Sequence, residues 1–132
     1  MLADRVHRRV YTDQAIFELE MTWLFGRTWM FVAHESQLPE PNDFVTARMG
    51  LRPVVVTRDK DGALHVLMNR CSHRAATVCR LSAGNSRSFQ CPYHGWRFGV
   101  QGHCEHIPSQ PDFVPPASTA VQAHQIQSAH GL

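Results

Sequence analysis

The sequence predicts a mainly β, antiparallel domain with one N-terminal helix. The chain has 132 residues, of which 43% are hydrophobic and 18% are charged, and this is the profile of one globular domain. Short stretches rich in β-branched and aromatic residues follow one another, with turn residues at close intervals. A single segment near the N terminus has the apolar pattern and the end signals of a helix.

The predicted helix begins after Thr12 or Asp13, either of which can cap its first turn, and ends at Gly26. Its apolar side chains cover a broad face and are Ile16, Phe17, Leu19, Met21, Trp23, Leu24 and Phe25. Three aromatic residues of this part of the chain are expected in the core: Trp23, Trp29 and Phe31. We expect an N-terminal arm and helix at 1–28 and one globular unit at 29–132.

Eight short segments are strand candidates: 29–33, 44–49, 53–58, 63–68, 88–90, 96–100, 104–107 and 121–126. The residues at 59–62 read DKDG and predict a hairpin connection, since Gly62 can take the positive φ that such a turn commonly needs. The prolines at 38–43 indicate a loop, and Gln101 and Gly102 indicate a turn.

Charge and hydropathy exclude several classes of protein. A net charge of +2 is too small to indicate a nucleic-acid partner. No apolar run approaches the roughly 18 residues of a membrane span, and the start MLADRVHRRVY has basic residues but no hydrophobic region after them. We therefore expect a cytoplasmic, reducing compartment, in which the four cysteines need not form disulfides. The basic run around Arg8 is interpreted as a solvated arm.

Two short motifs carry candidate metal ligands. Cys71-Ser72-His73 and Cys91-Pro92-Tyr93-His94 are separated by seventeen residues, and each supplies one thiolate and one imidazole. A mixed 2Fe-2S centre places two cysteines on one iron and two histidines on the other. A zinc ion would instead collect all four side chains, so a zinc-binding structural module is the alternative. We assign Cys71, His73, Cys91 and His94 as cofactor and metal ligands and assign no catalytic residue.

The ligand chemistry predicts a one-electron relay. Sulfides and cysteinate sulfurs add negative charge to a cluster, whereas neutral imidazoles add none, so the histidine-bound iron should be the one that is reduced. Electrons are then expected to pass by His73 and His94. Cys79 and Cys104 are interpreted as buried structural residues, although Cys104-Glu105-His106 repeats the Cys-x-His spacing.

Residues 69–98, NRCSHRAATVCRLSAGNSRSFQCPYHGWRF, resemble the cluster-binding segment of the alpha subunits of aromatic-ring-hydroxylating Rieske oxygenases. The run CPYHGW is the most specific part, and the resemblance extends from about residue 10 to the end of the sequence. Ala75 departs from it, because the family usually has glycine after Cys-x-His-Arg. If that glycine is needed for a positive φ, alanine strains the loop, and we expect the strain to be tolerated.

The resemblance implies a Rieske electron-transfer domain with a Rieske-type 2Fe-2S cluster. It implies electrons from a ferredoxin or a flavin reductase, a trimer of alpha subunits, and a mononuclear Fe(II) held by two histidines and a carboxylate in a second domain outside this sequence. The chain alone is therefore expected not to hydroxylate an aromatic substrate. A stand-alone Rieske ferredoxin is the alternative, although the N-terminal helix is usually absent from such carriers.

The residues around the motifs predict a low reduction potential. Some respiratory Rieske proteins have an extra disulfide and hydroxyl donors near the cluster, and the corresponding positions here are Ala76, Tyr93, Trp96 and Phe98. Without the disulfide and without hydroxyl groups after the second histidine, we expect a potential toward the low end of about −150 to +300 mV. Arg70, Arg74 and Tyr93 are expected to pack around the cluster, and a plain surface charge is the alternative for Arg74.

Overall fold

The computed structural model of the protein describes residues 5–108. Its N-terminal segment contains two short helices, α1 (Arg9–Thr12) and α2 (Gln14–Leu19), and α2 continues into a π-helical turn at Glu20–Leu24. The side chain of Asp13 caps α2 by accepting a hydrogen bond from the Ala15 N–H at 3.0 Å. The predicted helix and its cap are confirmed. No helix in this described range is long and apolar enough to cross a membrane.

Seven strands form two antiparallel sheets. The larger sheet has the order β3-β2-β1-β4 and the smaller sheet has the order β5-β6-β7. The strands are β1 (Asp43–Met49), β2 (Arg52–Arg58), β3 (Leu64–Met68), β4 (Ala83–Asn85), β5 (Ser88–Gln90), β6 (Arg97–Gly99) and β7 (Cys104–His106). The mainly β, antiparallel prediction is confirmed, and six of these strands overlap predicted segments. A short 3₁₀ helix, Glu35–Gln37, precedes β1.

One strand prediction differs from the structure, one strand of the structure was not predicted, and one prediction cannot be compared. Residues 29–33 form no strand, because β propensity needs a neighbouring strand edge and this segment has no strand partner among the described residues. Ala83–Asn85 pairs with β1 although its small and polar residues carry little strand signal. The candidate at 121–126 lies outside the described residues.

The core prediction for three aromatic residues is wrong. Trp23, Trp29 and Phe31 are 58%, 73% and 79% exposed. The helical segment turns other side chains inward, since Met21 and Phe25 lie nearest to Gly50 in the turn between β1 and β2. An apolar pattern shows that a face is to be buried, but it does not show which part of the molecule buries it.

The true core joins the two sheets through aromatic and aliphatic side chains. Phe44 of β1 meets Phe89 of β5 edge to face, with ring centroids 5.2 Å apart and planes at 85°. Val55 and Cys79 complete this buried cluster. A second buried cluster lies beneath the ligand motifs and contains Cys71, Cys91, Trp96, Phe98 and Ile107. The fold thus places both cysteines of the motifs inside the protein.

A buried carboxylate links the turns at one end of the two sheets. Asp59 accepts hydrogen bonds from the Asp61 and Ala63 N–H groups and lies 2.8 Å from the His65 ring nitrogen. It also accepts a bond from the Gln101 side chain at 3.1 Å. These partners, with His65 the strongest, lower the pKa of Asp59 to about 2. The predicted turns are confirmed, and Gly62 has the expected positive φ of 86°.

Candidate metal centre

The first ligand loop is a tight turn that follows β3. The Cys71 N–H donates to the Ala76 carbonyl at 2.8 Å, and the Ala75 N–H donates to the Cys71 carbonyl at 2.7 Å. Ala75 has a φ of 55°, in the left-handed region that favours glycine. The strain anticipated for alanine at this position is therefore present, at a cost of about 1–2 kcal/mol.

The second ligand loop, between β5 and β6, repeats the first. The Cys91 N–H donates to the Trp96 carbonyl at 2.7 Å, and the Gly95 N–H donates to the Cys91 carbonyl at 3.0 Å. Gly95 has a φ of 74° and holds the position that Ala75 holds in the first loop. Two turns of one backbone design therefore present the two motifs.

The loops bring the four side chains that the sequence singles out together as two pairs, with the sulfur pair inside and the nitrogen pair outside. Cys71 and Cys91 are 3% and 2% exposed. His73 and His94 are exposed, and their ring centroids lie 4.6 Å apart. The thiols thus face the protein interior, and the imidazoles form the outer surface of the site.

The environment of Cys71 shows two opposing effects on its ionisation. Burial is the largest effect and raises the pKa of the Cys71 thiol, and the neighbouring Cys91 thiol raises it further. The backbone N–H groups of His73 and Arg74 act in the opposite direction, because they stabilise a thiolate. Desolvation lowers the pKa of His73, as do the charges of His94 and Arg74. A cation at this site would offset the cost of the buried thiolates.

The donor set fits a dinuclear iron-sulfur cluster. Two interacting thiols lie in the interior, two neighbouring imidazoles lie at the surface, and each loop provides one donor of each kind. Within residues 5–108, no three or more Cys, His, Asp or Glu side chains gather where they could hold one metal ion. All four cysteines are free.

Asn69 is a supporting residue that the sequence reasoning missed. Its buried side chain accepts hydrogen bonds from the Val78 and Cys79 N–H groups at 3.2 and 2.8 Å and donates to the Cys79 carbonyl at 2.7 Å. It therefore ties the start of the first ligand loop to the segment that follows it. The only sequence signal for this supporting role is the position of an asparagine two residues before a predicted ligand cysteine.

The other residues that the sequence singled out lie as follows. Cys79 is buried, as predicted, and Cys104 is half-buried on β7, where it packs against the cluster of core residues beneath the loops. Arg70 and Arg74 are exposed. Tyr93 is 66% exposed, and its ring meets His94 edge to face at 5.4 Å.

Comparisons with known proteins identify the family of the chain. The sequence model of the Rieske [2Fe-2S] domain family matches residues 28–125. The chain is 40% identical over 113 residues to the chlorobenzene dioxygenase alpha subunit of Cupriavidus sp. (strain PS12), which covers 86% of this chain and 25% of that protein. The chain thus spans about a quarter of the length of the curated relatives it matches.

Solved structures give the same result. A naphthalene 1,2-dioxygenase variant bound to phenanthrene has a TM-score of 0.82 and 35% identity, over 86% of this chain and 26% of that chain. A quaternary ammonium Rieske monooxygenase has a TM-score of 0.74 and 30% identity, over 88% of this chain and 32% of that one. The expected cofactor, a Rieske-type 2Fe-2S cluster, is confirmed at the level of the family. The chain therefore belongs to the Rieske [2Fe-2S] domain family, and its sequence relatives include alpha subunits of aromatic-ring dioxygenases.

Proposed function

We propose that Cys71 and Cys91 hold one iron of the cluster and that His73 and His94 hold the other. The observation that carries this proposal is the pair of matched loops, which bury both thiols and expose both imidazoles. The bound cluster supplies one-electron transfer. The exposed imidazole side is the side that a redox partner can approach, while the buried thiol side is shielded from water.

Metal analysis and spectroscopy of the anaerobically purified protein test this assignment. We expect two irons and two acid-labile sulfides per chain, a visible absorption spectrum, and an electron paramagnetic resonance signal after reduction, as for a Rieske centre. A colourless protein without inorganic sulfide would contradict the proposal, and one zinc per chain would support the structural zinc module instead.

We further propose that the chain passes electrons from a ferredoxin or a flavin reductase to a mononuclear iron that lies outside this sequence. Its relatives are dioxygenase alpha subunits about four times as long, which supports a role in a larger oxygenase. Electron transfer between subunits is described for the quaternary ammonium Rieske monooxygenase. We propose the same for this chain, in a trimer of alpha subunits.

The N-terminal aromatic surface favours an alpha subunit over a stand-alone ferredoxin. We define this surface by Trp23, Trp29 and Phe31, all more than half exposed. Contiguous exposed apolar patches often mark a surface that another part of a protein covers, and we propose that these three side chains lie on one such surface. We propose that the larger, catalytic part of an alpha subunit covers them, since the relatives contain about three times as much chain outside the matched region.

Reconstituted turnover separates these two functions. With a nicotinamide nucleotide, a reductase, a ferredoxin and an aromatic substrate, this chain as the only oxygenase component should give no product. Product formation would contradict the proposal that the mononuclear iron lies outside this sequence. If the chain instead replaced the ferredoxin in a complete oxygenase system, it would be a stand-alone carrier. We also propose a cytoplasmic, reducing location, which the four free cysteines support.

A further inference from the structure

The two ligand loops differ in the side chain that closes each turn. The carbonyl of Ala76 accepts the Cys71 N–H bond in the first loop, and the carbonyl of Trp96 accepts the Cys91 N–H bond in the second. The backbone is therefore equivalent at these two positions, but one side chain is a methyl group and the other is an indole ring.

The indole of Trp96 reaches across to the first loop. Its ring lies parallel to that of His73, with 4° between the planes and 5.0 Å between the centroids. Trp96 is only 6% exposed and packs in the buried cluster with Cys71 and Cys91, whereas His73 is exposed. A fixed ring in the core thus supports one face of a ring at the surface.

His94 has a different environment. Its ring meets His73 at 70° and Tyr93 at 66°, both edge to face. Tyr93 is itself 66% exposed. The residue of the first loop that corresponds to Trp96 is Ala76, whose methyl group cannot stack on an imidazole.

We propose that Trp96 is a positioning residue that holds the His73 imidazole in the orientation needed to bind iron. The proposal rests on the ligand assignment made above. The outer torsion of a histidine side chain has a broad energy profile, so an exposed imidazole turns readily unless its surroundings restrict it. A parallel indole anchored in the core restricts that rotation, as supporting groups do for other metal-bound histidines. The His73 ring is therefore supported by a stacked, buried indole, whereas among the described residues the His94 ring has only edge-to-face ring contacts.

The test compares three variants of the cluster-loaded protein. Trp96→Met removes the flat ring, Trp96→Phe keeps a smaller one, and Phe98→Leu changes a 3% exposed neighbour in the same buried cluster. Pulsed electron paramagnetic resonance of the reduced protein measures the hyperfine couplings of the iron-bound nitrogens. Competition with a chelator measures the rate of iron loss.

We expect the nitrogen couplings to change most in Trp96→Met, less in Trp96→Phe, and not in Phe98→Leu. Iron loss should be about 10-fold faster in Trp96→Met, as is typical when a supporting partner of a metal ligand is removed. Unchanged couplings in both Trp96 variants, or an equal change in Phe98→Leu, would overturn the proposal. If Trp96→Met does not fold, the Trp96→Phe variant decides the test, because a phenyl ring covers less of His73 than an indole ring does. Unchanged nitrogen couplings in Trp96→Phe would then overturn the proposal.

Failure of the ligand assignment is a separate outcome. A His73→Ala protein that keeps both nitrogen couplings would show that His73 does not bind iron. If His73→Ala loses one coupling while the Trp96 variants keep both unchanged, the assignment stands and the positioning role of Trp96 is wrong.

Discussion

Ala75 and Gly95 occupy the same position in two turns of the same hydrogen-bond pattern, and both have a positive φ, 55° and 74°. Alanine in this conformation is strained by the approach of its Cβ to the backbone. Ala75→Gly should therefore raise the free energy of unfolding by about 1 kcal/mol, which a thermal or denaturant unfolding curve measures.

Two controls accompany this substitution. Ala83→Gly, in an exposed edge strand without positive φ, should lower the stability by about 0.5–1 kcal/mol. Gly95→Ala should be destabilising, since a Cβ there would lie 3.1 Å from the Pro108 Cγ. A loss of stability in Ala75→Gly would contradict the strain at this position.

Replacing either proposed histidine ligand by cysteine should lower the reduction potential. A thiolate adds negative charge to the cluster, so His73→Cys or His94→Cys should shift the potential by about 100 mV or more toward the roughly −400 mV of plant-type, all-cysteine clusters. Protein-film voltammetry measures the shift. The matched control is His106→Cys, from the Cys-x-His sequence on β7, and it should leave the potential unaltered. An unchanged potential in the His73 or His94 variant would remove that residue from the ligand set.

Asn69→Ala should destabilise the protein by about 3 kcal/mol, because three hydrogen bonds are lost and buried backbone groups of residues 78 and 79 remain without partners. Denaturant unfolding measures the change. The control Asn85→Ala also removes two hydrogen bonds, but at an exposed position, and should cost less than about 1 kcal/mol. Equal losses in the two variants would mean that Asn69 does not secure the first ligand loop.

Asp59 should make stability depend on acid pH. Its pKa is lowered in the folded protein from 3.8 to about 2, so its stabilisation is complete above pH 5 and is lost as the pH falls from about 4 to 2. The contribution is about 2 kcal/mol. The stability difference between the protein and Asp59→Asn should shrink over that interval. Asp61→Asn, at an exposed carboxylate in the same turn, is the control, and a difference independent of pH would contradict the role of Asp59.

The N-terminal aromatic surface should contribute little to the stability of this chain. Because Trp29 and Phe31 are 73% and 79% exposed, Trp29→Ser and Phe31→Ser should change the free energy of unfolding by less than about 0.5 kcal/mol. Phe44→Ala, in the true core, should cost about 3–5 kcal/mol. A comparably large loss in Trp29→Ser would show that this residue packs within the chain.

The sequence by itself determined the local features. The cap at Asp13, the hairpin closed by Gly62 and most strands were predictable, because each depends on the conformational preferences of a few neighbouring residues. The two ligand motifs were predictable because a mixed iron-sulfur centre needs those residue types in two nearby loops. The strain at Ala75 was predictable because alanine stands there in place of the glycine that the family usually has after Cys-x-His-Arg.

The tertiary structure decided which surfaces meet. Residues 29–33 have strand propensity but gain no strand partner among the described residues, while Ala83–Asn85 becomes a strand through pairing with β1. The sequence pattern did not show that Trp29 stays exposed, that Asn69 braces a loop, or that Trp96 stacks on His73. Each of these depends on which segments the fold brings together. The periodicity of one segment shows that a face is apolar but does not identify its neighbour.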